Sequence, residues 1–181
     1  MPIFRKRSPI ADLARNAVAL NGTIEGYVGL LKGRGEVVPC AKARVYLLVR
    51  PVDIDGVKKK AAEANGQFNP RLAHLYVEYL MINPETQHKN AYAKTLTDAR
   101  GRFEFANLPA DRYYYLVAQA LGGSVMVSWQ VSVWLNVKER VQVVLTNTNA
   151  SLPIYNMGEG EADPLAAERF RLQSRGEGKL P

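Results

Sequence analysis

TDARGRFEFANLPADRYYYLVA, residues 97 to 118, places polar turn residues between two strands of alternating apolar side chains. Asp98 has a side chain short enough to accept hydrogen bonds from the amides that follow it, and Gly101 supplies permissive backbone for the turn. Phe103 and Phe105 repeat at period two and share one face of a strand. Leu108 follows as a plug, Pro109 fixes the next turn, and Tyr113 and Tyr115 flank Tyr114 on the next strand. The polar residues have turn duties and no catalytic company, so the stretch reads as scaffold.

The same period extends to both sides. TIEGYVGL places Ile24, Gly26, Val28 and Leu30 on one face, and KGRGEVVPCAK reads as a turn-rich connection. ARVYLLVR, residues 43–50, is apolar on both faces, as in a strand inside a sandwich. AYAKTLTD, RFEF and RYYYLVAQA follow, with turns at ARG and NLPAD. VMVSWQVSVWLN and KERVQVVLT complete the set. Trp129, Val131, Val133 and Leu135 alternate with Ser128, Gln130 and Ser132. Trp129 and Trp134 fall on opposite faces, so at least one is surface-directed; a core or interface role is the leading reading of the pair, and stacking on a sugar the alternative. Seven strands with turn signals between them predict an all-β fold, a seven-stranded antiparallel β-sandwich over 23–149.

Residues 51–90 interrupt the pattern as an insertion. PVDIDGVKKKAAEANGQ reads as a polar loop with a helical turn. NPRLAHLYVEYLMINPE reads as a helix: Asn69 can cap it, Pro70 takes its first position and Pro84 closes it. Leu72, Leu75, Tyr76, Tyr79 and Leu80 share one helical face. The density of β-branched and aromatic residues in HLYVEYLMI leaves a strand as the alternative. Residues 1–22 form a basic arm with a short amphipathic helix through Ile10, Leu13, Ala14, Ala17 and Val18, which docks on its own domain or on a partner or membrane surface. Residues 150–181 form a tail with a short helix, PLAAERFRLQ.

The pattern resembles the carboxypeptidase regulatory-like domain, a member of the transthyretin-like β-sandwich group. The matching residues are Gly26 and Val28, the strand Ala43 to Leu47, then Thr97, Asp98, Gly101, Phe103, Phe105, Leu108, Pro109 and Tyr113. The family usually has Gly where this chain has Asp111 or Arg112. The resemblance covers about 23–149 outside the insertion. It implies a rigid accessory or adhesion module and is nearly silent on activity. Hydroxyisourate hydrolases of similar shape need several histidines and a terminal Tyr-Arg-Gly-Ser, and the similar intradiol dioxygenases need two Tyr and two His for iron. This chain has His74 and His88 only, and neither ending nor His pair.

The 181 residues, 47% apolar and 23% charged, suit one globular domain with extra segments. The one cysteine, Cys40, excludes an intrachain disulfide and reads as a structural thiol. The formal net charge is +7, concentrated only at Phe4, Arg5, Lys6 and Arg7. No uninterrupted apolar run follows that basic start, so no export signal and no transmembrane helix are expected. Asp53 and Asp55 open a D-x-D-G pattern, but the following VKKK puts cations where calcium needs oxygens. His74 reads as a partly exposed helix residue, and Lys58–Lys60 as a solvated loop.

No catalytic, cofactor-binding or metal-ligating residue is expected. The leading expectation is a non-enzymatic interaction subunit, a peripheral accessory subunit docking by its arms on a larger, membrane-protein complex. Phe4, Arg5, Lys6, Arg7, Leu13, Leu75, Tyr79, Trp134 and Phe170 are the candidate partner contacts. Its partners would be other protein subunits and an anionic membrane surface, with no specific nucleic acid. That places the chain in the cytoplasm or on a membrane face, with the cell envelope second. The alternative is a carbohydrate-binding or adhesion module of the envelope, which an exposed aromatic platform including Trp129 or Trp134 would favour.

Overall fold

Side chains that alternate apolar and polar can bury one face only if a second sheet covers it. The computed structural model of the protein describes residues 21–33, 35–63, 66–82, 91–122 and 124–156, and shows that arrangement. One sheet holds β1 (Asn21–Leu31), β2 (Val37–Pro39), β5 (Arg102–Pro109) and β8 (Arg140–Leu145). The other runs β4 (Ala91–Leu96), β3 (Arg44–Leu48), β6 (Arg112–Gly122), β7 (Val125–Leu135) and β9 (Tyr155–Asn156). Ile24, Val28, Phe103, Phe105, Val143 and Leu145 of the first sheet meet Val45, Leu47, Tyr114, Leu116, Trp129 and Leu135 of the second. This is the all-β sandwich expected from the period-two runs.

Three details differ from the expectation. The seven long strands are joined by the short β2 and β9, and β1 pairs with β8 in parallel, Thr23 opposite Arg140 through Val28 opposite Leu145. Every other described pairing is antiparallel. β5 also continues through Asn-Leu-Pro, with Pro109 still opposite Asn21; the turn comes at Asp111, whose φ of 55° is the left-handed region that Gly would otherwise occupy.

The opening motif does local work. Asp98 Oδ1 accepts from the amides of Arg100 and Arg102, each at 2.8 Å, and those bonds, that of Arg102 foremost, hold its carboxyl below the usual range. Gly101 sits at φ 74°, and a Cβ there would lie 2.4 Å from the Val28 carbonyl. Thr97 is buried: its hydroxyl donates to the Cys40 carbonyl and accepts from the Ala43 amide at 2.8 Å. The motif therefore ties the β4–β5 turn to the start of β3.

The insertion forms a third layer. α1 (Ile54–Glu63) is a full helix where the sequence predicts a polar loop with one turn. Asp53, read above as a failed calcium ligand, is its cap, accepting from the Gly56 amide at 2.9 Å. Lys58 and Lys59 lie on this helix beside Asp55 and Glu63, and Lys60 sits over the Tyr76 ring, so the lysines belong to a helix face and not to a loop. α2 (Pro70–Ile82) is helical with Asn69 Oδ1 accepting from the Leu72 amide, and the strand alternative falls. Val57, Ala61, Leu72, Leu75, Tyr76 and Met81 pack on Tyr46, Leu48, Val117 and Met126, the outer face of the five-stranded sheet.

Candidate functional site

The outer face of β7 presents Ser128, Gln130, Ser132 and Trp134 in a row, because successive side chains alternate between faces. The first two fasten the helical layer. Gln130 brackets the Val52 backbone, its Oε1 accepting from the Val52 amide at 2.6 Å and its Nε2 donating to the Val52 carbonyl at 3.0 Å. Ser128 lies 2.8 Å from His74 Nδ1, and His74 Nε2 lies 3.0 Å from the Pro153 carbonyl. A carbonyl can only accept, so the proton sits on Nε2 and Nδ1 accepts from the Ser128 hydroxyl. Gln119 Nε2 donates to the His74 carbonyl at 3.0 Å and to Ser128 Oγ at 3.2 Å. His74 is fully buried, not partly exposed as expected from its helix position, and burial lowers its pKa to about 4 against the hydrogen bond that its Nε2 donates to the Pro153 carbonyl. It is a neutral structural pin between α2, β7 and the segment after β8.

The last two residues of the row, Ser132 and Trp134, are exposed. Trp134 retains 43% of its surface in solvent and Tyr113, directly opposite on β6, retains 55%. Their ring centroids are 4.8 Å apart at 70°, so the two rings make an edge-to-face shelf. A relay holds the indole: Trp134 Nε1 donates to Asn136 Oδ1 at 2.9 Å, and Glu139 Oε2 accepts from both the amide and the side-chain nitrogen of Asn136, each at 2.8 Å. Trp129 is the opposite case. It is fully buried in the sandwich, with its indole donating to the Thr146 carbonyl at 2.6 Å.

Of the other candidate contacts, Leu75 is buried under the helical layer, spent on the chain's own packing, and Tyr79 is half-buried on α2. Phe4, Arg5, Lys6, Arg7, Leu13 and Phe170 lie outside the described residues, as does His88. Cys40 is buried, and burial pushes its thiol pKa up. Among the described residues no group of three or more His, Cys, Asp or Glu is placed to hold a metal ion, and no helix is long and apolar enough to cross a membrane.

A groove of about 560 Å³ crosses the outer face of the four-stranded sheet, lined by residues of β1, β5 and β8. Two rungs form its floor: Gln142, Glu25 and Glu104 side by side, then Val144, Tyr27 and Arg102. Neither this groove nor the pairing of Tyr113 with Trp134 is legible in the sequence alone. Strand alternation marks which residues point outward, and only the register says which of them meet.

No protein-family model matches the chain, and no curated protein matches it. Among solved structures, it resembles a proposed carbohydrate-binding protein from Pseudomonas aeruginosa at 18% identity and a TM-score of 0.44, over 78% of this chain and 99% of that one. It also resembles the full-length major pilin SpaD of Corynebacterium diphtheriae at 11% identity and a TM-score of 0.34, over 70% of this chain and 30% of the pilin. These are weak resemblances, too weak to transfer a role.

Proposed function

We propose that the chain is a non-enzymatic binding module, a sandwich of the carboxypeptidase regulatory-like kind, that holds a saccharide chain on the Tyr113–Trp134 shelf. The observation that carries this reading is an exposed tryptophan fixed in place by the Asn136–Glu139 relay. A large apolar side chain left in water is ordinary; one held there by its own polar support is ready to bind without losing rotamer freedom. A pyranose ring offers a face of C–H groups that suits the negative π-face of an indole, and hydroxyls at its rim that suit Ser132 and Asn136.

The rival reading, a peripheral subunit docking on other proteins or on an anionic membrane face, loses support from α1 and α2, because the described helices of the insertion pack on the chain's own sheet. It then rests on residues 1–20 and 157–181, and unchanged co-purification of partners after their deletion would remove it. The saccharide reading is tested by depletion of the chain onto insoluble polysaccharides. Wild type is retained on at least one, and Trp134→Ala weakens retention about tenfold, the effect of ~1.4 kcal/mol of lost stacking. Equal retention of wild type and Trp134→Ala, or no retention of either, sinks it.

A further inference from the structure

The groove on the four-stranded sheet lies on the far side of the sandwich from the aromatic shelf, and its chemistry is different. Glu25 and Glu104 face each other across antiparallel strands, an arrangement that is repulsive by itself. Arg140 relieves it by donating to Glu25 Oε2 and, at 3.2 Å, to Glu104 Oε2. Gln142 Nε2 donates to Glu25 Oε1 at 3.1 Å. Four planar polar groups from three strands are thereby held in one network, and three of them, Glu25, Glu104 and Gln142, line the groove. Beside them the Tyr27 ring lies down along the sheet: a Cβ at Gly29 would be 2.5 Å from it, and one at Gly101 would be 3.2 Å away. Glycine at 29 is what lets the ring lie flat.

We infer that this groove is a second saccharide-binding face, for a neutral glycan segment. The charges select the class. Glu25 and Glu104 share Arg140, and Asp98 lies in the field of Arg102 and Arg100, so three carboxylates meet three guanidiniums, and Arg140 and Asp98 are already engaged. A polycation would meet the guanidiniums and a polyanion the carboxylates, whereas neutral hydroxyls can both donate to carboxylates and accept from Arg102 and Gln142. Three strands spaced about 4.8 Å apart put these groups across about 10 Å, a span that suits a short run of sugar rings lying over Tyr27. The inference stands on the groove alone. Together with the shelf it gives one sandwich two faces, able to bridge two glycan strands.

The test uses the full chain, ¹⁵N-labelled, titrated with neutral hexasaccharides of β-1,4-glucan, β-1,3-glucan, β-1,4-mannan and β-1,4-xylan. At least one should shift the Gln142 side-chain amide and the backbone resonances of Glu25, Tyr27 and Arg102. Gln142→Ala and Arg102→Ala, both exposed positions, should each weaken that response about fivefold, the loss of one hydrogen bond, while Trp134→Ala leaves it unchanged. Groove resonances that stay still with every probe at about 10 mM, where a ligand of about 1 mM Kd would fill most of the sites, overturn the inference. So does a response that ignores both variants, or one that oligolysine or oligogalacturonate produces more strongly. A moving Trp134 indole with a silent groove overturns this inference alone; the reverse overturns only the shelf.

Discussion

Lowering the pH should loosen the helical layer through His74, and the size of the effect follows from its surroundings. The ring is fully buried, with Nε2 donating to Pro153 and Nδ1 accepting from Ser128, so it folds neutral and its pKa drops to about 4. In the unfolded chain the group titrates near 6.5. Between these values the unfolded state binds the extra proton, so stability is full above about 6.5, falls as the pH drops, and levels off below about 4. A gap of roughly 2.5 units corresponds to about 3 kcal/mol at the acid end, with about 2 kcal/mol already gone at about pH 5. Asp98, whose folded pKa is depressed, adds its own loss only at lower pH. The contribution of His74 is isolated by comparing wild type with His74→Leu in urea unfolding. The variant should be less stable by about 2–3 kcal/mol at neutral pH, since Pro153 and Ser128 lose their partner, and that deficit should shrink by about 2 kcal/mol at about pH 5. A deficit that stays constant from neutral to acid pH, or an NMR titration that places His74 near 6.5, refutes the reasoning.

Two further perturbations probe the sandwich. Gly26→Ala puts a Cβ 2.2 Å from the Val143 carbonyl and 2.5 Å from the Phe103 ring, so either the β1–β8 parallel pair or the core must move; a loss of about 2–4 kcal/mol in denaturant unfolding is expected. The tryptophans should separate stability from binding. Trp129→Ala, in the core, should cost about 3–5 kcal/mol, while Trp134→Ala should stay within about 1 kcal/mol of wild type in the same assay.

What the sequence made legible depended on how local the cause was. The turn of Asp98 and Gly101 and the period-two pair Phe103 and Phe105 are written in adjacent residues, and so is the Asn69–Pro70 start of α2; that β4 and β5 belong to different sheets, so that the turn crosses the sandwich instead of closing a hairpin, is not. α1 was obscured because Val57 and Ala61 are its only fully buried residues, while Gly56 and three lysines suggest a loop. Its Asp53 cap was there to be read, but the D-x-D-G spacing drew attention to metal ligation instead. The parallel partnership of β1 and β8 joins segments more than a hundred residues apart, and nothing in either strand's alternation names the other. His74 looked ordinary because its partners, Ser128 and Pro153, are likewise distant. Trp134 was a candidate from strand parity alone, yet its meaning changed once register placed Tyr113 beside it and Asn136 under its indole.

The most direct test of the saccharide reading is tryptophan fluorescence during titration with a soluble oligosaccharide of whichever polysaccharide retains the chain. Trp129 is sealed in the core, so a ligand on the shelf reports through Trp134. The account expects a saturable blue shift in wild type that is absent in Trp134→Ala. The same shift in Trp134→Ala, or retention on the polysaccharide with no change in emission, would contradict it.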